Sequence, residues 1–153
     1  MFPHDQTRRP IHATAKATAQ WNGTLREGSG RIKFSSGVFE GPYSFKVRSE
    51  GGAGETTPEE LIGAAHAGCF TMALSAQLTT NKTPPTSIRT EASVHLAATS
   101  AGLSINRIDL VTRATVPGLD AAKFAELAKT AKEGCPVSKA LAAVDIHLDA
   151  ALE

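Results

Sequence analysis

Between residues 57 and 78 the apolar positions fall on almost every side of a helix. Leu61, Ile62, Phe70, Met72 and Leu74 are interleaved with Gly63, Ala64, Ala65, Ala67, Gly68 and Ala73. A helix of this kind can be packed on most of its faces, inside a domain or inside an oligomer. Thr57 followed three residues later by Glu60 forms a capping box, Pro58 suits the first helical position, and Glu59 and Glu60 fall where the helix dipole favours carboxylates. The start of the helix is therefore set by its own residues.

Upstream the pattern has period two. Ala15, Ala17, Ala19 and Trp21 alternate up to the Asn22-Gly23 stop, and residues 31–34 and 43–48 alternate more clearly, with breaks at 28–30 and 40–42. These segments predict three antiparallel strands, joined to the helix by the polar loop 49–56, the kind of connection that borders functional sites. Downstream, Pro84 and Pro85 stop the helix, and residues 87–99 alternate through Ile88, Thr90, Ala92, Val94 and Leu96. Residues 100–102 read as a hairpin turn into a strand carrying Leu103, Ile105, Ile108, Leu110, Val111 and Val116, with an irregularity where the spacing slips at Asn106-Arg107. Asp120 caps a helix with Phe124, Leu127, Ala128 and Ala131 on one face and Gly134 at its close. Residues 135–141 begin a short helix with Pro136 in first position, and 144–149 form a last strand. The order predicts one α+β domain over 13–153, an antiparallel sheet around a long central helix, preceded by a mobile tail at 1–12.

Length and charge narrow the function. At 153 residues the chain can build a core without metal or disulfide staples, and 16 Lys plus Arg against 15 Asp plus Glu leaves a net charge of +1. With no basic run, nucleic acid is a poor partner and a small ligand a better one. No window is read as reaching the roughly 18 uninterrupted apolar residues of a membrane span, and the N-terminus lacks a signal-peptide core. A soluble, cytoplasmic protein with no membrane partner is expected. There Cys69 and Cys135 are either inert core residues or a redox or nucleophilic pair.

Cys69 lies about three turns inside its helix, where the dipole has faded, so it needs a cation from elsewhere to become a thiolate. Cys135, just before Pro136, stands at the start of a helix and is expected to be the more acidic thiol. Their separation of 66 residues (135 minus 69) excludes a CxxC motif, and no Cys/His spacing resembles a zinc site, so neither a metal nor a cofactor is expected. His66, three residues before Cys69, could make a protease-like pair but lacks an evident orienting partner. His4, His12, His95 and His147 read as surface or strand residues. Phe39, Phe45, Phe70 and Met72 are candidates for an apolar pocket lining, with ordinary core as their simpler role.

Two segments carry a family resemblance. Residues 57–69 (Thr-Pro-Glu-Glu-Leu-Ile-Gly-Ala-Ala-His-Ala-Gly-Cys) and 131–139 (Ala-Lys-Glu-Gly-Cys-Pro-Val-Ser-Lys) resemble the two cysteine motifs of the OsmC/Ohr family, the osmotically inducible and organic hydroperoxide resistance proteins, and the OsmC branch in particular. The resemblance implies an intertwined homodimer with two sites at the subunit interface. It also implies a thiol-dependent peroxidase that reduces organic hydroperoxides and hydrogen peroxide with an external dithiol donor, a lipoylated or thioredoxin-like protein. In its terms Cys69 is the peroxidatic cysteine, Cys135 the resolving cysteine, Glu59 the glutamate that orients an arginine, and Arg48 the arginine that activates the thiolate. Arg26 and Arg31 stay open as alternatives, because the Ohr branch carries its arginine earlier in the chain. Two other readings stand beside the enzyme: a redox-sensing or ligand-binding stress protein with low turnover, and a structural dimer with inert thiols. Glu59 lies ten residues before Cys69, about 15 Å along an unbroken helix. An arginine held by Glu59 is therefore expected to serve Cys69 of a partner subunit.

Overall fold

The computed structural model describes residue 11 and residues 13–153. The expected tail at 1–12, with His4 and His12, lies outside the described residues apart from Ile11. The chain forms two compact units, Met1–Thr56 and Thr57–Glu153.

The N-terminal unit is an antiparallel meander of β1 (Ala17–Asn22), β2 (Ser29–Phe34) and β3 (Glu40–Tyr43), in the order β1-β2-β3, followed by a short helix α1 (Phe45–Glu50). The third strand and the segment after it differ from expectation. Residues 40–42 are strand rather than break, because β3 is an edge strand and an edge tolerates Pro42, paired with Arg31. Residues 45–50, which alternate like a strand, are helical. The Ser44 side chain caps the first turn by accepting from the Val47 N–H, and Gly51, at φ 78°, ends the last turn. A six-residue helix is too short for a 3.6-residue period to show, so its two caps decide it. Packing within the meander centres on buried Ile32 and on the Trp21 and Tyr43 rings, whose centroids lie 5.3 Å apart. Gly30 lies where any Cβ would meet the Tyr43 ring.

The C-terminal unit opens with the long helix α2 (Pro58–Thr80), capped as expected by the Thr57 side chain, which accepts from the Glu60 N–H at 3.1 Å. It continues through β4 (Ser87–Thr99), β5 (Gly102–Thr115), α3 (Ala121–Gly134), α4 (Pro136–Ala140) and β6 (Asp145–Leu152). β4 and β5 form the antiparallel hairpin expected, and the register slips by one between His95↔Arg107 and Leu96↔Ile105, leaving Asn106 as the bulge. β6 is added to β5 in parallel rather than antiparallel. The crossover through α3 and α4 returns the chain to the end of the sheet where β5 begins, and that forces the parallel sense. α3 starts at Asp120, whose side chain accepts from the Lys123 N–H, but Cys135 rather than Gly134 caps its end.

Every third or fourth residue of α2 is buried: Glu59, Gly63, His66, Phe70, Leu74 and Leu78. That stripe meets Ile108, Leu110 and Ala114 of β5 and Phe124, Leu127, Ala128 and Ala131 of α3 in one core that also holds Cys135. Gly63 allows the close approach to the sheet, since a Cβ there would stand 3.2 Å from the Ala92 carbonyl oxygen. A hydroxyl chain fixes the helix on the sheet: Thr71 donates to Thr90 at 2.8 Å, Thr90 and Thr112 lie 2.9 Å apart, and Thr112 donates to the Arg89 carbonyl. The opposite side of α2, with Ala64, Ala65, Gly68, Ala76 and a 75 % exposed Met72, is open in the single chain. Packing on most faces is thus not reached within one chain. By length and composition α2 is also apolar enough to cross a membrane, which corrects the expectation that no window reaches that level. Leu61, Ile62, Phe70, Met72, Leu74 and Leu78 supply most of that apolarity, and Phe70, Leu74 and Leu78 are buried against the rest of the unit.

Candidate active site

Cys69 lies near the middle of α2, half-buried, and Cys135 is the residue that ends α3 and caps α4, with no exposure at all. The core brings these distant thiols within hydrogen-bonding reach of each other. Helix α4 serves both: the Val137 N–H donates to each sulfur, and Ser138 donates its N–H and its hydroxyl to Cys135. These are N–H groups of a first helical turn, which have no carbonyl partner within the helix and turn naturally to an anionic sulfur.

The two thiols are pushed in opposite directions. Burial raises Cys69 above the usual thiol value, the Val137 N–H works against that, and the hydrogen bond and charge of Cys135 add to the rise. Burial also opposes ionisation of Cys135, but the Ser138 backbone and hydroxyl, Cys69 and Val137 outweigh it and hold this thiol below its usual value. The expectation that Cys135 is the more acidic thiol therefore holds. Negative charge settles first on the buried sulfur, and Cys69 needs a cation from outside its own helix.

The residues expected to supply that cation and to hold it are placed as follows. Glu59 is in the first turn of α2 and only 8 % exposed. α2 runs unbroken from Pro58 to Thr80, so the spacing of about 15 Å between Glu59 and Cys69 stands. Arg48 is half-buried in the last turn of α1 in the N-terminal unit, and not at a strand end as the alternation suggested. The rival arginines are engaged on the surface of that unit. Arg26 lies 6.0 Å from the Phe45 ring centroid, and Arg31 Nε pairs with Glu40 Oε1 at 3.2 Å.

One residue was undervalued from sequence. His66 is fully buried, and its Nε2 lies 2.7 Å from Ser138 Oγ, the same hydroxyl that donates to Cys135. The orienting partner missing from the sequence lies 72 residues away. The position of His66 on the stripe 59, 63, 66, 70, 74 and 78 was the available sign, because a buried imidazole needs a hydrogen-bond partner. His95 and His147 are exposed strand residues paired with Asp109 and Asp145, as read. Of the candidate pocket residues, Phe70 is core and Met72 is exposed, while Phe39 and Phe45 are half-buried in the N-terminal unit. Among the described residues no group of three or more His, Cys, Asp or Glu is placed to hold a metal ion.

Comparison with known proteins identifies the family of the chain. A family model described as OsmC-like protein matches residues 51–149, which include both cysteines. The chain is 48 % identical over 135 residues to peroxiredoxin OsmC of Escherichia coli strain K12, covering 88 % of this chain and 93 % of that protein. Among solved structures, the organic hydroperoxide resistance protein OhrB of Bacillus subtilis superposes with a TM-score of 0.72 at 31 % identity, covering 90 % of this chain and 98 % of that one. An organic hydroperoxide resistance protein from Elizabethkingia anophelis shares the fold with a TM-score of 0.76 at 22 % identity, over 95 % of this chain and all of that one.

Proposed function

Because the chain belongs to the OsmC family and is a thiol-dependent peroxidase acting on organic hydroperoxides, we propose that Cys69 is its attacking sulfur and Cys135 the sulfur that resolves it. The observation that carries the assignment is the meeting of the two thiols at α4 with unequal exposure. The half-buried sulfur is the one a hydroperoxide can reach, and the fully enclosed one is placed to meet only its neighbour.

The Cys69 thiolate attacks the terminal peroxide oxygen and the O–O bond breaks. The leaving alkoxide takes up a proton to become the alcohol, and Cys69 is left as a sulfenic acid. The Cys135 thiolate then attacks the Cys69 sulfur; the S–S bond forms, the S–O bond breaks, and the hydroxide leaves as water with one proton. An external dithiol, carried by a lipoylated or thioredoxin-like protein, returns the disulfide to two thiols by exchange. Arg48 supplies the positive charge that lowers the raised Cys69 and donates to the peroxide oxygen where charge develops, and Glu59 holds that guanidinium in a paired geometry. The protein works as a homodimer in the cytoplasm, where a free dithiol pair is maintained between turnovers.

The raised Cys69 favours one second reading, a redox sensor that is oxidised once and recovers slowly. Excess cumene hydroperoxide with a dithiol donor separates the two. The expected result is continuous peroxide loss that disappears in Cys69→Ser. For Cys135→Ser the expectation is a single equivalent consumed and a sulfenic acid that dimedone traps at Cys69. A wild-type protein that stops after one equivalent with several donors would sink the enzymatic reading.

A further inference from the structure

We propose that His66 is a positioning residue for the resolving thiol: it holds the Ser138 hydroxyl so that its proton points at the Cys135 sulfur. The inference rests on the assignment of Cys135 as the resolving cysteine.

The three groups form a closed line in the core. His66 and Cys135 are fully buried and Ser138 is nearly so, and His66 Nε2 stands 2.7 Å from Ser138 Oγ. A serine hydroxyl has one proton to give and two lone pairs to accept with. If the ring carries its proton on Nε2, it donates to Oγ and leaves the serine proton for the Cys135 sulfur. If the proton is on Nδ1, Nε2 takes the serine proton and the sulfur loses that donor. The surroundings choose between the two: Nδ1 is enclosed and has no hydrogen-bond partner among the described residues. A bare lone pair there is the smaller penalty, whereas a buried N–H without an acceptor forfeits a full hydrogen bond. The Nε2–H form is therefore the occupied one. Burial, and then the positive charge of Lys132 on α3, hold the imidazole below its usual range, so the ring stays neutral and keeps its single proton at work.

The consequence falls first on Cys135, and reaches Cys69 through the hydrogen bond and charge that the two sulfurs share. Its thiolate receives the Ser138 hydroxyl and the Ser138 and Val137 N–H groups from fixed directions. Those donors stabilise the thiolate that attacks the Cys69 sulfenic acid, and again the thiolate that departs when a reducing dithiol attacks Cys69. Attack of Cys69 on the hydroperoxide uses none of them except the shared Val137 N–H.

The test uses two readouts on Ser138→Ala, His66→Leu and His66→Gln, whose side-chain amide offers an N–H near the imidazole Nε2 position. In a Cys69→Ser background Cys135 is the remaining thiol of the two in the chain. Titration of its ultraviolet thiolate absorbance is expected to move upward in Ser138→Ala and His66→Leu and to stay close to the unsubstituted value in His66→Gln. With Cys69 present, one equivalent of cumene hydroperoxide is expected to give a burst of full amplitude, followed by the slower resolving step. The dimedone-trappable sulfenic acid should persist about tenfold longer in Ser138→Ala and His66→Leu, the scale of one lost hydrogen bond to a charged group. Equal effects of His66→Leu and His66→Gln would assign His66 a packing role and overturn the proposal, as would unmoved titration in all three folded variants. Failure of the burst in the wild type strikes the peroxidase assignment instead, and the titration still decides the role of His66.

Discussion

A neutral imidazole in the core makes stability depend on pH with a definite sign. His66 is held below its ordinary 6.5 in the fold, chiefly by burial, while in the unfolded chain it titrates near that value. As pH falls through about 6.5 the unfolded chain takes up a proton that the folded chain refuses, so this contribution to stability is present above that pH and lost below it. Urea unfolding between about pH 5 and pH 8 should show wild-type stability falling toward acid more steeply than that of His66→Gln, by at most about 1.4 kcal/mol per pH unit. A wild-type curve parallel to that of the variant would show that His66 takes up its proton as readily in the fold as in the unfolded chain. The residue scale is also where sequence served least evenly. Cys135 is legible as the more acidic thiol because its donors Val137 and Ser138 follow it directly in α4, whereas the burial that raises Cys69 comes from the tertiary packing. The His66-Ser138 contact is not legible, because it closes a span of 72 residues and depends on how α4 docks on α2.

At the scale of elements, α2 organises the C-terminal unit through one stripe, and its energetics divide between the cap and the core. Leu74, without exposure, lies in the cluster shared by α2, β5 and α3. Leu74→Ala should cost about 2–5 kcal/mol in a denaturant titration, and Thr57→Ala, which removes the cap to Glu60, about 1 kcal/mol. A Leu74→Ala loss below that of the cap variant would mean the stripe is not the folding core. The same element shows why some of the fold was legible and some was not. The Thr57 cap, the hairpin of β4 and β5 with its bulge at Asn106, and the apolar face of α3 all arise from signals local to each segment. The helical state of residues 45–50 depends on Ser44 and Gly51 outbidding a two-residue alternation, and the parallel sense of β6 depends on a crossover that no strand carries in itself.

At the scale of the whole molecule the open side of α2 and the raised Cys69 point to the same requirement. Ala64, Ala65, Gly68, Ala76 and Met72 form a face of small residues with one large exposed apolar side chain, the kind of surface on which a second helix can approach closely. Glu59 and Cys69 are about 15 Å apart on one rigid rod, too far for a guanidinium paired to that carboxylate to reach the sulfur on the same helix. In a two-fold dimer built on this face, Arg48 and Glu59 of one subunit would serve Cys69 of the other. Mixed dimers test this directly. Cys69→Ser protein retains Arg48 and lacks the attacking sulfur; Arg48→Ala protein retains the sulfur and lacks its cation. Each alone should turn over hydroperoxide poorly. Co-refolding them at equal amounts puts half the molecules in heterodimers, each with one site that combines an intact Cys69 and an intact Arg48 if the arginine acts across the interface. Peroxidase activity should then rise to about a quarter of the wild-type rate. If the arginine acts within its own subunit, no mixed molecule holds a complete site and the mixture stays as inactive as its components.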